Sequence, residues 1–269
     1  TYQAQWRKNS YLVQFVSEGT VLREYTLSYG DAIPAQEKPT REGYTFVSWD
    51  KNVPDTVSDE NVKNGKLVFQ AVWKEIAYTI SYDLAGGSLP TGKTNPTTFT
   101  INSKPMDLVQ PKREGYTFEG WSGTDINGKD TQVTVTARPL KDRTYTANWK
   151  ENSYTIVFNV EGEVTRGEIP LRYTQETTIP KNGYVCGGYK FVGWRTGGKK
   201  SEQKVYQPGD KVSRLCATNN GTVNLYPIWE PCEYTITFDY QTGNKREKVT
   251  CKYKETYTFP TVNRLGWTF

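Results

Sequence analysis

A mainly β chain of tandem modules, each roughly 70 residues long, is the fold class this sequence predicts. Three observations predict it. The eight tryptophans fall in two recurring places, an aromatic box (Trp49, Trp121, Trp194, and Trp267, which takes the box Tyr position of a fourth copy) and the end of a closing strand (Trp6, Trp73, Trp149 and Trp229). Short segments alternate apolar and polar residues with a period of two, the signature of half-buried strands. Gly and Pro punctuate the chain every ten or so residues, which suits many short strands joined by turns.

Each module opens on a strand: Tyr11-Leu12-Val13-Gln14-Phe15, Tyr78-Thr79-Ile80-Ser81-Tyr82, Tyr154-Thr155-Ile156-Val157-Phe158 and Tyr234-Thr235-Ile236-Thr237-Phe238. In the last, Tyr234, Ile236 and Phe238 face one way and Thr235 and Thr237 the other, as in an antiparallel strand with one wet face. A turn and second strand follow. In the last unit Tyr240 to Lys245 lead into Glu247 to Tyr253, a hairpin with its turn near Gly243. Pro-rich bends such as Lys38-Pro39-Thr40-Arg41-Glu42 come next.

Then comes an aromatic box: Gly43-Tyr44-Thr45-Phe46-Val47-Ser48-Trp49, Gly115-Tyr116-Thr117-Phe118-Glu119-Gly120-Trp121, Gly188-Tyr189-Lys190-Phe191-Val192-Gly193-Trp194, and the start of a fourth copy at Gly266-Trp267-Thr268-Phe269. The box glycines recur at intervals of 72, 73 and 78 residues, which sets the period. Their place before the strand predicts positive φ. Closing strands end on the second tryptophan, as in Thr144-Tyr145-Thr146-Ala147-Asn148-Trp149, where Ala147 leaves room for the rings on either side. At most one short helix per module is expected, between box and closing strand.

The modules are expected at 10–76, 77–152 and 153–231, preceded at 1–9 by the closing strand of an earlier repeat and followed at 232–269 by the first half of a later one. The chain does not begin with Met, and joining Phe269 to Thr1 would set Trp267 and Trp6 eight residues apart, against 24, 28 and 35 between box and closing Trp in the modules. The parent protein is therefore expected to continue in both directions. A unit this small has a marginal core, so the ring-bearing repeat residues are read as core; each aromatic buries about 150–250 Å².

Net charge is +5 on 34 basic and 29 acidic residues with no long basic block, which argues against nucleic acid. No stretch approaches a membrane span, and no signal peptide is present, as expected of a mature segment. With no His, Ser-His and Cys-His catalysis are excluded. Asp and Glu recur at no fixed site, and no P-loop or dinucleotide motif occurs. No enzyme, cofactor or metal site is expected.

The four cysteines, Cys186, Cys216, Cys232 and Cys251, are even in number, lack any CxxC pair and have no His to join them, so they are disulfide candidates of an oxidising compartment, with buried thiols the alternative. Cys186 and Cys216 flank the third box and its variable segment and are expected to pair. Cys232 and Cys251 lie on the two sides of the last hairpin and are expected to clasp it.

The order Tyr-Thr-Ile-x-Phe, Gly-Tyr-x-Phe-x-Gly-Trp and Tyr-x-Ala-x-Trp resembles the Listeria–Bacteroides repeat, of which the internalin B-type B-repeat is a form, across essentially the whole chain. The stretch from Tyr206-Gln207-Pro208-Gly209-Asp210 to Leu225-Tyr226 resembles versions in surface proteins of gut bacteria. The resemblance implies a small β-grasp-like, mainly β module and tandem arrays on bacterial extracellular proteins, with no catalytic residues. Ser48, Pro227 and the cysteines depart from the pattern.

The function expected is a non-catalytic stalk, spacer or adhesive segment at the cell surface or secreted, partnered by neighbouring repeats and by a host or bacterial surface protein or glycan. The alternatives are a self-assembling surface filament formed by inter-chain strand pairing and a multivalent glycan-binding module. For the latter, Tyr184, Tyr206 and Tyr240 are candidate platforms, and Lys199-Lys200 and Lys245-Arg246 candidate contacts to acidic glycans. Leu89-Pro90-Thr91-Gly92 imitates a sortase signal but lacks the intervening residue, and Asn220-Gly221-Thr222 is a glycosylation sequon.

Overall fold

The structure is a computed structural model and describes residues 1–160, 167–181, 185–197, 200–241, 246–263 and 265–266. Residues 267–269 of the fourth box, Tyr184, Lys199, Gly243 and Lys245 lie outside the described residues. The chain is mainly β. It divides into two compact units, one of Thr1–Ala85, Leu89–Pro111 and Gly120–Asn148, the other of Gly86–Ser88, Lys112–Glu119 and Trp149–Phe269.

The first unit contains a four-stranded sheet made of β1 (Ser10–Ser17), β2 (Thr20–Ser28), β3 (Tyr44–Trp49) and β4 (Lys66–Glu75), in the order β2-β1-β4-β3. The opening strand β1 forms an antiparallel hairpin with β2 around Glu18 and Gly19, both at positive φ. It pairs in parallel with the closing strand β4, Phe15 opposite Phe69. A parallel pair needs a long crossover, and the β2–β3 segment provides it. Tyr11, Val13 and Phe15 are buried with Ile33, Val57, Leu67 and Phe69.

The second sheet has β5 (Tyr78–Asp83), β6 (Thr98–Phe99), β8 (Tyr116–Gly123) and β10 (Arg143–Glu151) in the order β6-β5-β10-β8, with the small pair β7 (Met106–Asp107) and β9 (Thr134–Val135) beside it. Opening strand β5 and closing strand β10 are again parallel, Ile80 opposite Arg143. Strands β8 and β10 contribute residues to both units.

The second unit holds the third sheet, β11 (Ser153–Phe158), β12 (Gly167–Arg172), β14 (Tyr189–Thr196), β15 (Val205–Tyr206) and β17 (Gly221–Pro231), in the order β12-β11-β17-β14-β15. The pair β13 (Thr177–Thr178) and β16 (Lys211–Val212) covers it, and β18 (Glu233–Asp239) and β19 (Arg246–Lys252) form a separate hairpin. Its core is Tyr154, Ile156, Phe158, Leu171, Ile179, Trp194, Val212 and Leu225. Pro227 sits in β17 because the parallel pairing with β11 ends at Leu225; beyond it the missing N–H costs no ladder bond on that side.

The three sheets share the 2-1-4-3 order of opening hairpin, closing strand and box strand. The one helical element among the described residues is a single 3₁₀ turn, Lys200–Glu202, between box and closing strand.

One device in the box explains its spacing. Residues three apart on a regular strand face opposite ways, yet Phe46 meets Trp49 edge-on at 5.2 Å and Phe191 meets Trp194 at 5.3 Å. A bulge at Val47 and at Val192, where the register with the closing strand skips a residue, turns both rings to one face. The box Phe also meets the closing Trp edge-on in each module, Phe46–Trp73 at 5.6 Å, Phe118–Trp149 at 5.4 Å and Phe191–Trp229 at 5.6 Å.

Candidate functional site

The features that recur most closely lie where one module meets the next. Each box glycine has positive φ, 77° at Gly43, 75° at Gly115 and 77° at Gly188. Each closes a tight turn in which the following tyrosine donates back, Tyr44 N to Arg41 O at 3.1 Å, Tyr116 N to Arg113 O at 3.2 Å and Tyr189 N to Cys186 O at 2.9 Å. The turn alone would explain a glycine. A second reason is that a side chain of the next module rests on it. A Cβ on Gly43 would stand 2.8 Å from Cβ of Ile101, and on Gly115 or Gly188 it would overlap the ring of Tyr173 or Tyr253.

The same glycines bind the linkers. Ile76, Asn152 and Cys232 each donate a backbone N–H to the carbonyl of Gly43, Gly115 and Gly188 at 2.9 Å. In the second and third joints the linker carbonyl then accepts from the residue on the glycine, Tyr173 N to Asn152 O and Tyr253 N to Cys232 O, both 2.9 Å. The box tyrosine packs against that same residue, Tyr116 on Tyr173 at 6.3 Å and Tyr189 on Tyr253 at 5.3 Å, both edge-on.

Polar groups complete the first two joints. Asn102 Nδ2 donates to Tyr44 Oη and to Glu75 Oε1, each at 2.7 Å. At the equivalent place Thr174 donates through its N–H to Glu151 at 2.8 Å and through its hydroxyl to the same oxygen. These donors, the Thr174 hydroxyl first, hold the Glu151 carboxyl below the ordinary range. Asn152 is buried; its carbonyl oxygen accepts from the Thr117 hydroxyl at 2.6 Å and its amide donates to Ala217 O at 2.7 Å. Arg41 and Arg113 lie over the rings of Tyr44 and Tyr116 at 3.7 and 3.8 Å. Cys186 takes that place in the third joint.

The cysteines can now be placed. All four are thiols, half-buried. Cys216 lies against Gly221, which is paired with Tyr154, whereas Cys186 is bridged to Tyr189, which is paired with Pro231. Those are opposite ends of β17, about 30 Å apart at ~3.3 Å per residue. The expected Cys186–Cys216 bond is therefore corrected: a disulfide needs Cα atoms about 4.4–6.8 Å apart. Cys186, Cys232 and Cys251 instead gather at the third joint. In the hairpin register Tyr234 faces Cys251 and Glu233 faces Lys252, which sets Cys232 opposite Tyr253. Cys232 and Cys251 are then diagonal neighbours on one face, about 7–8 Å apart in a regular ladder.

The candidate sugar platforms fare differently. Tyr206 is half-buried against the Trp194 core, and burial raises its phenol. Tyr240 donates its hydroxyl to Glu247 at 2.7 Å and stacks on Phe238. Among the described residues no cluster of acidic and sulfur ligands could hold a metal ion, and no helix is long and apolar enough to cross a membrane.

Comparison with known proteins agrees with the repeat. The Listeria-Bacteroides repeat domain matches three tandem stretches, residues 11–70, 78–148 and 154–226. A protein of Evansella cellulosilytica named as a Gly-rich membrane protein is 26% identical over 97% of this chain and 29% of its own length. Internalin H of Listeria monocytogenes is 30% identical over 46% of this chain and 22% of its own length. The chain thus spans under a third of either relative.

Proposed function

The chain belongs to the Listeria-Bacteroides repeat family, and from that premise we propose that it acts as a non-catalytic extracellular spacer that carries other parts of its parent protein away from a bacterial surface. The supporting observation is the joint. Gly43, Gly115 and Gly188 each seat a residue of the following module and bind the linker between them through the same carbonyl. A string of independent domains has no use for a thrice-repeated seat of this kind, whereas a spacer does, because its reach depends on holding neighbours in a set orientation. The relatives named as a membrane protein and as an internalin suit a surface setting.

The test removes residues 77–152 from the parent protein displayed on cells and measures the distance of its outermost part from the membrane by fluorescence. A spacer loses the length of one module and keeps its binding partners. Unchanged distance, or lost binding with unchanged distance, contradicts the reading.

A further inference from the structure

The first module departs from its siblings at one place, and the departure uncovers an aromatic ring beside three lysines. In the second and third modules the residue before the box Trp is Gly120 or Gly193, at φ of 124° and 158°. A Cβ there would stand 2.8 Å from the backbone of Asp130 or 2.9 Å from the carbonyl oxygen of Tyr206. These glycines let another segment pair against the box strand: Trp121 bridges Asp130, and Trp194 pairs with Tyr206 of β15. Both tryptophans are fully buried. In the first module Ser48 stands in that position, no further strand pairs with β3 among the described residues, and Trp49 is half-buried.

Two adjoining clefts occupy the uncovered place. One, of about 470 Å³, is lined by Trp49, Ser48 and Phe46; the other, of about 490 Å³, by Lys63, Lys66 and Pro54; Lys51 and Asn52 line both. Each is of the size that holds a small ligand. No acidic residue lines either, and among the described residues none of the three lysines forms a salt bridge. Asp55 lies on a third cleft that Trp49 also borders.

Lys51 Nζ lies 5.3 Å from the centre of the Phe69 ring, whereas Lys63 and Lys66 are not explained by folding. Lys63 and Lys66 face each other across a two-residue turn, Asn64-Gly65, exchanging both backbone bonds at 3.0 Å. Like charges directly opposite each other destabilise such a pair. Counted from the closing Trp, the place of Lys66 is taken by Asp142 and Thr222 in the other modules. Counted from the box Trp, that of Lys51 is taken by Gly123 and Thr196. Neither place requires a cation for the repeat to fold.

We infer that this face of the first module binds an acidic oligosaccharide, with Trp49 as the surface on which a sugar ring rests and Lys51, Lys63 and Lys66 as partners of its carboxylate or sulfate groups. An apolar indole face suits the C–H face of a pyranose. Lysines act as point charges that accept either anion without demanding planar geometry. The site is single and confined to the first module, so it stands apart from the spacer reading.

The test uses the whole chain and three fluorescent hexasaccharides, a sulfated one, an oligogalacturonate and a neutral dextran fragment, by anisotropy at near-physiological salt. Wild type is expected to bind the sulfated chain, the oligogalacturonate or both, and the stronger of the two identifies the anion. Lys51→Gln/Lys63→Gln/Lys66→Gln is expected to lose about tenfold or more. The charge-matched control Lys38→Gln/Lys93→Gln/Lys104→Gln should stay within about twofold, and the triple Lys→Arg form of the cleft within about threefold. Trp49→Phe, which keeps an aromatic in the core, should weaken binding with its unfolding midpoint near that of wild type. Three results overturn the inference: no binding of either acidic chain, equal binding of dextran, or equal loss in the two glutamine triples.

Discussion

The ring of Tyr173 occupies the space that a Cβ on Gly115 would need. Gly115→Ala is therefore expected to do two things: strain a residue held at φ of 75° and lift Tyr173 from its seat. The cost should be about 1–3 kcal/mol, concentrated in the joint. In thermal unfolding the modules on either side should separate into distinct transitions, and Tyr173→Ala should mimic that separation without the backbone strain. A single unshifted transition in both variants would show that the seat couples nothing.

Truncating the box tryptophans should rank them by burial. Trp121→Ala and Trp194→Ala remove fully buried rings, and each should cost ~3–5 kcal/mol in its own module. Trp49→Ala should cost less, because that ring is only half-buried. Equal losses at all three would contradict the account of Ser48.

Arg143 is buried in the second module, where its guanidinium donates to the carbonyls of Thr136 at 2.8 Å and Pro139 at 3.0 Å and lies 4.4 Å from the centre of the Phe99 ring. Counted from the closing Trp, the other modules have Leu67 and Val223 at this position. Arg143→Leu is expected to leave stability unchanged or raise it, as when buried charges give way to apolar residues of similar size, whereas Arg143→Ala should lower the melting point. A marked loss with Leu would mean that the two carbonyls depend on the guanidinium.

The second joint should weaken in acid. Glu151 is held below its ordinary value of 4.5 by the hydroxyl and N–H of Thr174. A depressed carboxyl contributes stability above the unfolded value and loses it as pH falls through the folded one. Between pH 7 and pH 3 the wild-type melting point should therefore fall further than that of Glu151→Gln, which has no carboxylate to protonate. Equal falls would remove this joint as a source of acid sensitivity.

Cys232 and Cys251 are proposed to close into a disulfide on oxidation with cystine, a small shear of the β18–β19 hairpin bringing the diagonal neighbours together. Limited proteolysis with and without reductant reads the result. Slower cleavage after residue 232 in the oxidised chain is expected, and equal rates would refute the clasp.

Much of this was legible from residue order. The alternation of Tyr154, Ile156 and Phe158 marked an inward face, and those three are buried. The positive φ of the box glycines followed from their place before a strand. Their second role was hidden, because the residue that rests on Gly43 is Ile101, 58 positions later, and on Gly115 it is Tyr173, also 58 later; local pattern cannot show a contact of that range. The bulge has a signal in the box spacing itself: Phe and Trp three apart cannot share one face of a regular strand. Ser48 was visible as a departure, but its consequence depended on knowing that a segment pairs beside Gly120 and Gly193. The disulfide expectation failed for Cys186 and Cys216 because closeness to one box says nothing about which end of β17 each cysteine occupies.

A spin-label distance across the first joint tests most directly whether the joints hold neighbouring modules in a set orientation. With the four native cysteines changed to serine, nitroxides are placed at Val47→Cys and Lys104→Cys, both exposed positions, and their separation is measured by pulsed dipolar spectroscopy. A single narrow distance distribution is expected, broadening when Gly43→Ala unseats Ile101. A broad distribution in the otherwise wild-type chain, unchanged by Gly43→Ala, would contradict the account.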